Sequence, residues 1–172
     1  NKRIKKILNN FNNSKNVNKK ISLPEYEINR INNLKNTGSP LETYKQTCSL
    51  IEKYPDEPFL HNMIGVINLE NDKVEASINS FNLALKFSPK SPEIYYNLGN
   101  CYREFKEYEK SISFYKKAID LKPGLSIAHH NLGISYTEKL SYENALNCYI
   151  KAINLNPFDT NFHESFYDCL SD

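Results

Sequence analysis

The sequence predicts an all-α protein built as a right-handed α-solenoid of helix-turn-helix repeats. The prediction rests on glycine, alanine and proline, each of which recurs at positions i, i+34 and i+68. Because three residue types with different mechanical roles keep one repeat period, the chain consists of stacked copies of a single supersecondary unit. The recurring residues are Gly65, Gly99 and Gly133; Ala84, Ala118 and Ala152; and Pro89, Pro123 and Pro157.

Each repeat divides into two short amphipathic helices. In the middle copy, residues 92–125, the side chains of Tyr95, Leu98 and Tyr102 follow one another at spacings of 3 and 4, which places them on one face of a helix. The second half of the copy keeps the same periodicity with Tyr108, Ile112, Tyr115, Ala118, Ile119 and Leu121.

The recurring residues have clear mechanical roles. Gly99 lies inside the first helix, where glycine costs about 1 kcal/mol relative to alanine, so its recurrence predicts a partner helix that leaves no room for a side chain. Ala118 is predicted to lie at a similarly crowded contact. Pro123 lacks an N–H group and disfavours helical geometry in the preceding residue, so it ends the second helix.

The motif residues make the chain similar to tetratricopeptide-repeat proteins. The pattern departs from the family at Asn68, where an aromatic is usual, and at Ser77 and Ser111, which replace a small alanine. The matching residues are Ile64, Gly65, Phe81, Ala84 and Pro89; Asn97–Gly99, Tyr102, Tyr115, Ala118 and Pro123; and Asn131–Gly133, Tyr136, Ala145, Tyr149, Ala152 and Pro157.

The repeat period also predicts how the chain is divided. Pro55 precedes Pro89 by one period, which indicates a degenerate capping repeat upstream of the clear copies. Terminal repeats are expected to be atypical because one of their faces meets water. The predicted units are a basic leader (1–23), the capping repeat (24–57), three repeats (58–91, 92–125 and 126–159) and a partial repeat or capping helix (160–172).

The basic leader differs in charge from the rest of the chain. Residues 1–23 carry seven lysine or arginine side chains and no acid, so the other residues carry −5 within the total of +2. Ile4, Ile7, Leu8 and Phe11 recur at helical spacing among these lysines, which is typical of a helix that meets an anionic membrane or nucleic acid. The alternative is a solvated leader whose apolar stripe covers the first repeat.

Composition favours a cytoplasmic protein. No segment has the 18 or so consecutive apolar residues of a membrane span or the pattern of a secretory signal. The four cysteines form no CxxC pair, and we expect buried free thiols of the kind a reducing compartment maintains. Cys101 and Cys169, two periods apart, are predicted to share one buried helix position.

The sequence predicts neither catalysis nor a cofactor or metal in these residues. His61, His129 and His163 share one repeat position, where equivalent residues lie too far apart to bind one metal ion, and they are predicted to be packing rings. No nucleophile elbow or phosphate-binding glycine loop occurs in the sequence.

The family resemblance implies a concave groove lined by the first helices. An asparagine side chain has both donors and an acceptor, so Asn97 and Asn131 are predicted to bond the backbone of an extended peptide. The predicted groove residues are Asn62, Met63, Tyr96, Asn97, Asn100, Arg103, His130 and Asn131.

The resemblance therefore implies a protein-interaction module that binds an extended peptide or partner segment. Family members that clamp the terminal carboxylate of chaperone tails use lysines and an arginine where this chain has Asn62, Ile127 and Asn131. The charge that would capture a carboxylate is missing at these positions, which argues against binding of chaperone tails. The groove asparagines resemble those of O-linked N-acetylglucosamine transferases. The alternative function is thus that of the substrate-recruiting region of a larger glycosyltransferase or sulfotransferase. Separately, the apolar face of residues 160–172 favours self-association.

Overall fold

The structure is a computed structural model that describes residues 22–171. Most of the predicted basic leader, residues 1–21, lies outside this range, and only its last two residues lie within it. Within the described range the chain forms helices and turns only. The helices are α1 (Glu25–Asn36), α2 (Pro40–Lys53), α3 (Pro58–Glu70), α4 (Val74–Phe87), α5 (Pro92–Glu104), α6 (Tyr108–Leu121), α7 (Ser126–Thr137), α8 (Tyr142–Leu155) and α9 (Thr160–Ser171).

The helices stack in chain order. The most extensive contacts join α3 to α4, α5 to α6 and α7 to α8, and each second helix then packs on the first helix of the next pair. First helices also touch one another, α3 with α5, α5 with α7 and α7 with α9. This neighbour-to-neighbour packing is that of an α-solenoid, and it confirms the predicted fold class.

The repeated glycines lie where the two helices of a pair come closest. A Cβ built on Gly65 would approach the ring of Phe81 to 2.5 Å, and one built on Gly133 would approach the ring of Tyr149 to the same distance. The aromatic ring belongs to the second helix of the same pair in each case. The predicted close approach is therefore confirmed, and an aromatic side chain occupies the space that glycine leaves.

The turn inside each helix pair has one repeated conformation. Gly38, Asp72, Lys106 and Leu140 follow one another at the repeat period, and all have positive φ, between 57° and 73°. At the last of these turns the Leu140 N–H donates to the Thr137 carbonyl at 2.8 Å, and the next N–H donates to the Tyr136 carbonyl at 2.9 Å. The chain between α1 and α2 thus makes the same turn as the clear repeats.

In the α1–α2 pair, the large and the small residue stand on opposite helices from those in the later pairs. Ile31 precedes Gly65 by one repeat period, and Thr47 precedes Phe81 by the same interval. Both Ile31 and Thr47 are completely buried. A large side chain on the first helix and a small one on the second thus replace the glycine and the ring, which explains why the sequence pattern is weak here.

One further contact ties each repeat to the one before it. Three histidines place Nε2 on the carbonyl of the proline that ends the preceding repeat: His61 on Pro55 at 2.6 Å, His129 on Pro123 at 3.0 Å and His163 on Pro157 at 2.9 Å. Because a carbonyl only accepts, Nε2 carries the proton in each bond. The Tyr95 hydroxyl donates to the Pro89 carbonyl at 3.2 Å in the same way.

The cysteines are free thiols, of which Cys101, Cys148 and Cys169 are buried and Cys48 is half-buried. The predicted burial of Cys101 and Cys169 is confirmed. None of the described helices combines the length and apolar character required to cross a bilayer.

Candidate binding groove on the first helices

Asparagine side chains connect the first helices across the repeat boundaries. The Asn97 side-chain amide on α5 donates to Asn62 Oδ1 on α3 at 3.0 Å. One repeat further on, the Asn131 amide on α7 donates to Asn100 Oδ1 on α5 at 2.9 Å. Two amide–amide bonds therefore join α3, α5 and α7 side by side.

Asn131 belongs to a larger, partly buried network of hydrogen bonds. Its amide nitrogen also donates to the Tyr96 hydroxyl at 3.2 Å, and the Tyr115 hydroxyl donates to Asn100 Oδ1 at 2.6 Å. Burial raises the pKa of Tyr115 well above its usual value, so this hydroxyl stays protonated. Asn131 is only 7% exposed, and its two donated bonds hold Tyr96 and Asn100 in place.

The predicted groove residues differ in how much of each side chain a partner could reach. Three of them are buried: Met63, His130 and Asn131. The other five are half-buried: Asn62, Tyr96, Asn97, Asn100 and Arg103. The accessible part of the predicted groove therefore lies on α3 and α5.

Arg103 provides a positive charge at this surface. Its side chain is 26% exposed, and Nη2 lies 3.3 Å from Glu104 Oε1. The carboxylates of Glu70 and Glu138, one repeat before and after Glu104, also have charged or hydrogen-bonding partners. Lys35 Nζ lies 3.2 Å from Glu70, and the Tyr108 hydroxyl donates to Glu138 at 2.9 Å.

His130 joins α7 to α9. Its Nε2 lies 2.9 Å from Ser165 Oγ, and its ring centroid lies 4.7 Å from that of Phe162. Within the described residues, its buried Nδ1 has no hydrogen-bond partner. Burial lowers the pKa of His130, so the ring is neutral at pH 7. The sequence predicts only its place on α7, because Ser165 belongs to the next repeat along the chain.

Family models match most of the repeat region. Models described as tetratricopeptide repeat match residues 92–125 and 127–159, and one described as TPR repeat matches residues 65–104. No curated protein matches the chain.

Solved structures share the fold at low sequence identity. The APC/C hetero-tetramer Cut9–Hcn1 superposes with a TM-score of 0.79 and 19% identity, covering 84% of this chain and 29% of that one. PilF of Pseudomonas aeruginosa gives 0.79 and 18%, covering 86% and 67%. MamA from Desulfovibrio magneticus RS-1, in a form running from residue 41 to the end, gives 0.74 and 18%, covering 84% and 82%. The chain thus spans less than a third of the Cut9–Hcn1 chain that it matches.

Proposed function

Because the chain belongs to the tetratricopeptide-repeat family, we propose that it is a protein-interaction scaffold whose first helices bind an extended partner segment. The observation that carries this proposal is the hydrogen-bonded pair of Asn62 and Asn97, half-buried on adjacent first helices. An extended backbone presents a donor and an acceptor at nearly every residue, and amide side chains can bond both.

Asn62 and Asn97 retain hydrogen-bonding capacity that a partner can use. An asparagine amide has two N–H donors, and the bond to Asn62 uses one from Asn97. The same bond engages Oδ1 of Asn62 and leaves its NH₂ group to donate. In this proposal the pair contacts the partner backbone, and its mutual bond fixes both amides before binding, which reduces the entropy cost of association.

Asn131 has a different role in the proposed groove. Its amide nitrogen donates to two neighbouring side chains, and the residue is buried. It therefore acts through Tyr96 and Asn100, whose half-buried side chains reach the surface. Arg103 beside them would favour a partner that places a carboxylate near α5.

The experiment selects peptides from a displayed library against the full chain and measures the dissociation constant of the best binder. The double variant Asn62→Ala with Asn97→Ala is expected to bind that peptide at least tenfold more weakly, a loss of about 1.4 kcal/mol. The matched control is Asn82→Ala with Asn154→Ala, which removes two exposed amides from second helices. Equal affinities for both double variants would place the peptide elsewhere and overturn the groove proposal.

A further inference from the structure

Three aromatic rings stack against one another on α5 and α6. Phe114 is the middle ring, with its centroid 6.3 Å from that of Tyr95 and 5.1 Å from that of Tyr102. The planes of Phe114 and Tyr102 differ by 3°. Lys117 Nζ lies 5.3 Å from the centroid of Phe114 and 5.7 Å from that of Tyr95, at cation–π distance.

The next repeat keeps the flanking positions of this stack and lacks its middle ring. His129 and Tyr136 stand one repeat period after Tyr95 and Tyr102, and Lys151 stands one period after Lys117. The residue at the position equivalent to Phe114 is Cys148. A thiol thus stands where the preceding repeat places a phenyl ring between two aromatic side chains.

The space left by the missing ring is a cleft between α6, α7 and α8. Its volume is about 550 Å³, which is ample for a phenyl ring. Cys148 and Leu132 are buried within the apolar cluster that Tyr136 and Ile119 flank. The full lining is Lys116, Ile119, Asp120, His129, Leu132, Tyr136, Asn144, Asn147, Cys148 and Lys151.

We propose that this cleft binds an aromatic side chain of a protein partner, with the guest ring in the place that Phe114 occupies one repeat earlier. The ring would lie between His129 and Tyr136, with Lys151 placed as Lys117 is over Phe114. Stacking of this kind contributes affinity beyond the apolar area that is buried.

The charges around the cleft define the partner further. Lys116 Nζ lies 5.6 Å from the centroid of Tyr136, and Lys151 supplies a second ammonium group. Asp120 is the one carboxylate among the lining residues. The two lysines therefore favour a guest whose aromatic residue has a carboxylate next to it, as in a Phe-Asp sequence.

The cleft and the asparagine groove use different sides of α7. His129, Leu132 and Tyr136 recur at spacings of 3 and 4, whereas Asn131 lies two positions after His129, about 200° around the helix. A partner bound at one site leaves the other accessible. The cleft therefore provides a second docking site on the same scaffold, separate from the groove.

The test measures binding of a blocked dipeptide, N-acetyl-Phe-Asp-amide, to the full chain by NMR titration. We expect saturable shifts of the His129 and Tyr136 ring signals, and at least tenfold weaker binding of N-acetyl-Ala-Asp-amide. Cys148→Phe, which rebuilds the three-ring stack, should abolish these shifts. Cys148→Ala is the matched control and should keep them, because it leaves the space open.

Two results would overturn the inference. One is equal binding of the Phe and Ala dipeptides, and the other is Cys148→Phe protein that binds the Phe dipeptide like the natural chain. If Cys148→Phe does not fold, Tyr136→Leu replaces it; this variant removes one stacking face and should weaken binding at least fivefold. The dipeptide assay does not involve the groove partner, so its failure would leave the groove proposal standing.

Discussion

The ring of Tyr115 on α6 lies so close to Gly99 on α5 that no side chain fits between the two helices. A Cβ built on Gly99 would be 2.5 Å from two ring carbons of Tyr115, a residue that is completely buried. The same relationship joins Gly65 to Phe81 and Gly133 to Tyr149. These three contacts set how closely the helices of each pair approach.

Gly99→Ala is therefore expected to destabilise the protein, although alanine is the better helix former. Helix propensity alone would add about 1 kcal/mol of stability. Forcing a methyl group against a buried ring costs about 1–3 kcal/mol, and the ring of Tyr115 is completely buried. We expect a net loss of up to about 2 kcal/mol in the free energy of unfolding, measured by urea denaturation.

The control for this variant is Gly124→Ala. Nothing lies within 4 Å of a Cβ at Gly124, which follows Pro123 in the turn before α7. This change should be neutral or slightly stabilising. A Gly99→Ala protein as stable as the control would show that the helices can separate at little cost.

Leu140→Gly is expected to stabilise the turn between α7 and α8. Leu140 has φ of 57°, a conformation that costs residues other than glycine about 1–2 kcal/mol. Its side chain is 72% exposed, so little packing is lost. After the greater flexibility of glycine in the unfolded chain is subtracted, the gain should be about 0.5–1 kcal/mol in urea denaturation.

Gly38→Ala provides the reverse test in the turn between α1 and α2. Gly38 has φ of 73°, and a Cβ there would meet no atom within 4 Å. A loss of about 1 kcal/mol would then come from the backbone conformation alone. If Leu140→Gly is instead less stable than the natural protein, the exposed side chain of Leu140 contributes to packing in the turn between α7 and α8.

Asn131→Ala is expected to lower stability by about 1–3 kcal/mol, because it removes two partly buried hydrogen bonds between α7 and α5. The exposed amide of Asn154 on α8 provides the control, and Asn154→Ala should stay within about 0.5 kcal/mol of the natural protein. Thermal and urea unfolding would both measure the difference. Equal stabilities would mean that water replaces the lost bonds at no cost.

The contribution of His130 to the free energy of unfolding is expected to fall in mild acid. Burial lowers the pKa of His130 in the folded chain below the value of about 6.5 expected for an unfolded chain. Its contribution is therefore fully present above about pH 6.5 and is lost as the pH falls through the folded-state pKa. Nearby charges act in opposite directions, since Asp159 raises this pKa and Arg103 lowers it.

The measurement compares the natural chain with His130→Gln in urea denaturation between about pH 7.5 and pH 5. Glutamine can still bond Ser165 but does not titrate in this range, so the variant should lose stability less steeply with falling pH. Parallel pH profiles for the two proteins would show that His130 is protonated without disturbing α9.

The repeat spacing predicted the helices of the clear repeats and the crowded contacts at their glycines. It did so because Gly99 and Pro123 have roles that the chain cannot fill with other residue types at low cost. The α1–α2 pair is harder to recognise in the sequence, since the buried residues Ile31 and Thr47 stand at the positions of Gly65 and Phe81. Gly38 and Asp72 stand one repeat period apart and share a positive φ, so the two turns match in backbone conformation although their residue types differ.

The candidate groove was less predictable than the fold. The residue types placed Asn97 and Asn131 on equivalent positions, yet one is half-buried and the other is buried. Both side chains donate to the preceding repeat, but Asn131 donates to two partners there, Tyr96 and Asn100, whereas Asn97 donates to Asn62 alone. Side-chain networks of this kind depend on how repeats stack, and a single repeat motif does not encode them.

The neighbour-to-neighbour packing also bears on how the chain folds. Every extensive helix contact in residues 22–171 joins helices that are one or two apart in chain order. Such a structure has a low contact order, so its formation requires only short chain segments to close. During synthesis, α3 and α4 can pair before α5 has left the ribosome, and each later helix adds to a surface that is already formed.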